Sequence, residues 1–147
     1  MNKDFELIPH TADLQIRVYG TTIFELFRNA LIGMFQSIGP RGKKCRREGE
    51  RMICASLPIV RKVVSRAPDQ EQLLVDFLSQ ALALSDIYNE AYLDATIEKL
   101  TNTAIEATVH GIKVEGFEIT EIKAVTYHDL KIKQTNDGWQ VDIVFDI

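Results

Sequence analysis

The sequence has little of what several familiar kinds of site require. Its 147 residues include two cysteines, Cys45 and Cys54, and a zinc centre would need a second pair at ligand spacing. No such centre is expected, and the two are expected as reduced thiols in a cytoplasmic protein. No apolar run approaches the roughly 20 residues that cross a bilayer, and the opening MNKDFELIPH has no apolar signal core. A Gly-rich phosphate loop and a Ser/His/Asp constellation in recognisable context are both missing. So are internal repeats and low-complexity tracts. Positive charge is in deficit, with 17 Lys and Arg against 21 Asp and Glu and a pI near 5.4. That balance argues against a protein that holds nucleic acid through a general positive field.

What remains is the material of one packed domain, expected over residues 1–147. The chain is 46% hydrophobic, long enough for one substantial core and short for two. Phe5 and Leu7, then Leu14, Ile16 and Val18, alternate with polar residues as a strand does, interrupted from Ile8 to Asp13. Pro9 lacks a main-chain donor and suits a break in a strand. Thr22 followed by Glu25 forms a capping box before Phe27, Ala30, Leu31, Met34, Phe35 and Ile38, and Gly39-Pro40 ends that helix. Asp69 and Gln72 repeat the capping pattern before Leu73, Phe77, Leu78, Ala81 and Leu82, a second helix ending near Asp86 to Asn89. Between them, Met52 to Ser65 reads as two short strands or one edge strand broken at Pro58. Tyr92–Leu100 and Ala104–His110 alternate and are separated by Thr101-Asn102-Thr103, a hairpin pattern.

The last third carries the densest pattern. In EIKAVTYHDLKIK, Glu121 to Lys133, alternation puts Ile122, Ala124, Thr126, His128, Leu130 and Ile132 on one face of an expected central strand. Asn136-Asp137-Gly138 then reverses the chain into Trp139 to Ile147. This order of elements favours an α+β fold of two layers, two helices covering a largely antiparallel sheet.

Three groups could carry chemistry: the His10–Asp13 break, Lys123 and His128 on the central strand, and the Asp146-Ile147 end. Hard cations take oxygen ligands, so Asp13 and Asp146 with an oxygen of Ile147 suit part of a calcium or magnesium site. Asp13 as a turn or cap residue fits equally well. His128 on an apolar face reads first as a hydrogen-bonded core histidine. Lys123 reads first as a solvated side chain, and otherwise as a point charge for phosphate. Arg41, Lys43, Lys44, Arg46, Arg47 and Arg51 form the one basic cluster; with no aromatic interleaved for base stacking, it reads first as a solvated loop.

HTAD at His10 to Asp13, ALIGMF at Ala30 to Phe35, LLVDFL at Leu73 to Leu78, EIKAVTYHDLK at Glu121 to Lys131 and the final VFDI together resemble archease, in the expected order and from end to end of the chain. The resemblance implies an accessory protein, itself without catalytic residues, for the GTP-dependent RNA-splicing ligase of the RtcB type, which seals tRNA exon halves and repaired RNA ends. It implies promotion of ligase histidine guanylylation and of multiple turnover. It also implies a divalent metal held by Asp13, Asp146 and Ile147 and an activity-linked Lys123; on residue chemistry, His10, three residues before Asp13, suits a partner that orders that aspartate. Two other readings stay open: a metal-dependent phosphoesterase or nuclease using Asp13, Asp146 and His10, and an RNA-binding, chaperone-like module using the Arg41 to Arg51 cluster.

Overall fold

The computed structural model describes residues 3–8 and 13–147. Among these, ten strands and two helices follow one another as β1 (Phe5–Ile8), β2 (Leu14–Gly20), α1 (Ile23–Ser37), β3 (Cys45–Glu48), β4 (Arg51–Cys54), β5 (Ile59–Arg66), α2 (Gln70–Tyr88), β6 (Glu90–Leu100), β7 (Ala104–Lys113), β8 (Ala124–Thr126), β9 (Lys133–Thr135) and β10 (Gly138–Asp146). The α+β expectation holds, and each strand pairing among the described residues is antiparallel.

The strands divide among a larger sheet ordered β1-β2-β10-β8 with β9 also on β10, a three-stranded sheet ordered β5-β7-β6, and the β3–β4 hairpin. The interruption after Ile8 is thus a reversal between two antiparallel neighbours, with Ile8 opposite Gln15, rather than a break in one strand.

Both helices start where the capping residues indicate. The Thr22 side chain accepts from the Glu25 main-chain N–H, and the Asp69 side chain accepts from that of Gln72. Helix α2 stops at Asn89 in the left-handed conformation, which asparagine tolerates. Helix α1 is buried on nearly every side because it packs against β2 of one sheet and β6 of the other. Phe27 meets Phe77 of α2 at 6.2 Å between ring centroids, and Phe35 meets Tyr92 of β6 edge to face at 5.4 Å. Each such fully buried ring contributes about 2–3 kcal/mol of transfer free energy, so α1 joins the two sheets into one core.

Three expectations are corrected. The span from Glu121 to Lys133 is not one strand. Ala124–Thr126 joins the ladder, the chain then turns at Tyr127–Leu130, with the Leu130 N–H donating to the Tyr127 carbonyl and Asp129 at φ 59, and pairing with β10 resumes at Lys133 as β9. Ile122 and Leu130 are buried from opposite ends of this excursion, so their alternation records burial without a continuous ladder. His128, expected among core residues, is 84% exposed and contacts Asp129 at 3.1 Å. The cysteines are not free thiols: the β3–β4 register sets Cys45 opposite Cys54 with Cα atoms 4.0 Å apart, and the two form a disulfide.

Candidate functional site

The site is built where three strands of the larger sheet come to an end together. Strand β2 is anchored by Ile16 and Val18, and β10 by Val141, Ile143 and Phe145, all buried. Alternate residues are fixed in the core, so the register cannot slip without turning each of them toward solvent. In that register Phe145 lies opposite Leu14. Asp146 is the next residue on β10 and Asp13 is the residue before Leu14, so the two carboxylates flank the same end of the ladder.

On the other side of β10, Val144 to Asp146 pair with Thr126 to Ala124 of β8. One further hydrogen bond continues that pairing: the Lys123 N–H donates to the Asp146 carbonyl at 2.7 Å. Lys123, Asp146 and Ile147 are exposed, Ile147 by 38%, and Asp13 is half-buried. Residues from three separated stretches of sequence therefore share one corner. His10 lies outside the described residues.

The donors offered there are carboxylate and main-chain oxygens, the set that a hard divalent cation takes. Among the described residues no group of three or more His, Cys, Asp or Glu gathers tightly enough to hold a metal by itself. A cation at this corner would rest on two carboxylates and a main-chain oxygen of Ile147, completed by water.

The basic cluster is partly committed elsewhere. Arg46 pairs with Glu48 at 3.1 Å, Arg47 with Glu118 at 2.9 Å and Arg51 with Asp4 at 3.0 Å. The segment expected as a solvated loop forms the β3–β4 hairpin, tied to α1 by the Gln36 side chain, which donates to the Met52 carbonyl and accepts from the Met52 N–H.

A buried carboxylate that sequence patterning gave no sign of is Glu90, at 0% exposure. It accepts two hydrogen bonds from the Arg61 guanidinium at 3.0 and 2.8 Å and one from the Tyr92 hydroxyl at 2.7 Å, with the Lys113 ammonium 3.8 Å away. The Arg61 hydrogen bonds hold its pKa below the usual carboxylate range against the opposing effect of burial. Burial, followed by the hydrogen bond to Glu90, raises Tyr92. With both oxygens engaged, Glu90 is a structural group of the α2–β6 junction. Its partner on β5 lies across the intervening β7, a proximity that only the strand order reveals.

A family model, described as the Archease protein family (MTH1598/TM1083), matches residues 5–147. Proteins named archease from Methanosarcina acetivorans and Methanosarcina barkeri are 34% and 37% identical to this chain, each comparison covering 99% of it and 97% of the relative. One from Pyrococcus abyssi is 33% identical, with 99% of both covered. Among solved structures, protein 1598 of Methanobacterium thermoautotrophicum aligns with a TM-score of 0.63 at 22% identity, over 98% of this chain and 99% of that one. An archease of Thermotoga maritima, described as a possible chaperone, aligns with a TM-score of 0.60 at 24% identity, over 100% and 98%. These two show a shared fold.

Proposed function

The chain belongs to the archease protein family, and on that premise we propose that it is a cytoplasmic accessory protein that activates an RtcB-type, GTP-dependent RNA-splicing ligase while forming no covalent intermediate itself. The observation that carries this reading is the convergence of Asp13, Lys123, Asp146 and Ile147 at one exposed corner through the β2–β10–β8 register.

In this reading Asp13, Asp146 and an oxygen of Ile147 hold calcium or magnesium. The bound cation supplies positive charge for phosphate oxygens. Lys123 adds a compact, mobile ammonium suited to the same oxygens. Guanylylation of a ligase histidine by GTP leaves pyrophosphate, so charge gathers on the departing oxygens. Groups already fixed near that position stabilise it with little reorganisation. The rigid β10 end orients Asp146, the exposure of Lys123 lets it reach beyond this chain, and tRNA remains a substrate of the ligase alone.

The test is multiple-turnover joining of RNA ends by limiting ligase, with and without this protein. Stimulation that the Asp146→Ala variant lacks supports the reading. Equal stimulation by the variant removes the corner from it, and hydrolysis of RNA by the purified protein alone would favour a nuclease.

A further inference from the structure

The β2–β10 ladder has a second end, about 20 Å from the first by strand rise along β2. Trp139 lies opposite Gly20 there, beside a cleft of about 370 Å³, a volume typical of small-ligand sites. Its lining includes two aromatics, Tyr19 and Trp139, and four carboxylates, Asp4, Glu6, Glu25 and Asp137, against one cation, Lys3.

Two of these carboxylates are already matched. Asp4 pairs with Arg51 at 3.0 Å, while Glu6 receives Lys3 at 3.3 Å and the Tyr19 hydroxyl at 2.6 Å. Among the described residues the side-chain donor to Glu25 is neutral, the Thr21 hydroxyl at 2.7 Å, and the Arg28 guanidinium, which acts on Glu25 through space, is hydrogen-bonded to Asp94. Asp137, in the two-residue turn between β9 and β10, has no ion-pair partner among the described residues. The cleft thus carries an excess of negative charge next to aromatic rings.

We propose that this cleft binds an organic cation, a primary ammonium or guanidinium group on an extended chain, at a site separate from the Asp13–Asp146 corner. An anion meets repulsion from the lining. A neutral apolar ligand would desolvate Glu25 and Asp137 without replacing their water. A bare metal ion needs several converging ligands, and two of the four carboxylates are already held by Arg51, Lys3 and the Tyr19 hydroxyl. An alkylammonium or guanidinium pairs with the carboxylates and is the kind of cation that aromatic side chains attract. A free polyamine and a lysine or arginine side chain of a partner protein share that chemistry.

Trp139 is the one tryptophan of the chain, so its fluorescence reports on the cleft directly. The experiment titrates the full-length protein with spermidine and, separately, with an acetylated and amidated Arg-Lys-Arg-Lys-Arg peptide. The same titrations are made on a Glu25→Gln, Asp137→Asn double variant, which keeps a hydrogen-bonding side chain near the α1 start and at the turn. A saturable change that weakens at least about ten-fold in the variant, a loss of roughly 1.4 kcal/mol, supports the proposal. Response to spermidine alone identifies a free polyamine, and response to the peptide alone identifies a partner's side chains. No saturable change with either probe, or equal affinity in the variant, overturns it.

Discussion

The main-chain N–H of Lys123 donates to the carbonyl of Asp146 at 2.7 Å, so the residue offering an ammonium at the corner is tied to one offering a carboxylate. The tie uses backbone atoms and leaves both side chains exposed. It survives substitution of either side chain, which makes function and folding separable at this site.

For Lys123→Ala, thermal unfolding is therefore expected to shift by no more than about 2 °C, since exposed substitutions usually stay within ±0.5 kcal/mol. Stimulation of ligase guanylylation is expected to fall by about ten-fold or more, the loss of roughly 1.4 kcal/mol of charge stabilisation. A lysine that is merely solvated would leave the stimulation unchanged.

Calcium or magnesium is expected to stabilise the protein. At 100 times the dissociation constant, one site adds about 2.7 kcal/mol, which raises the midpoint of a chain this size by roughly 5–10 °C. Calorimetric scans with and without a chelator measure it, and the Asp13→Asn, Asp146→Asn double variant is expected to show no shift.

Glu90 gives an acid dependence of known sign. Its folded pKa lies below the usual carboxylate range because of the Arg61 hydrogen bonds, so its contribution is present above the unfolded pKa and is lost as pH falls through the lower folded one. Denaturation at pH 7 and at about pH 3 is expected to show the wild type losing more stability than Glu90→Gln. At pH 7 the variant is expected to be less stable than the wild type, because Arg61 loses its carboxylate partner.

The Cys45–Cys54 bond predicts no titratable thiol in the oxidised protein under denaturing conditions and two after reduction. Closing so short a loop restricts the unfolded chain, so reduction is expected to cost about 2–3 kcal/mol. Denaturant midpoints with and without dithiothreitol measure the loss.

Both helices and the β6–β7 hairpin were legible because their signals are local. Thr22 and Asp69 cap within three residues, Gly39-Pro40 and Asn89 stop the helices, and Thr101 to Thr103 separates two alternating runs. The excursion from Glu121 to Lys133 was misread because Ile122 and Leu130 keep a strand-like spacing while the chain between them turns over a left-handed Asp129. Periodicity reports which side chains are buried; it cannot tell a long strand from two buried anchors flanking a turn. The disulfide and the Arg61–Glu90 pair depend on cross-strand register and sheet order, which no single segment encodes. Residue chemistry alone offers Asp13, Asp146, Ile147 and Lys123 as candidates but leaves Asp13 open as a turn residue, and the family resemblance is what favours the metal reading. The nearness of Asp13 to Asp146 follows from a pairing between the first and last thirds of the chain.

The central claim is tested most directly by the rate of guanylylation of the organism's own RtcB-type ligase with labelled GTP, measured with wild-type protein and with Asp146→Ala. The account predicts a clear stimulation by the wild type and its loss in a variant that remains folded. Undiminished stimulation by Asp146→Ala, or none by the wild type with a demonstrably active ligase, would contradict it.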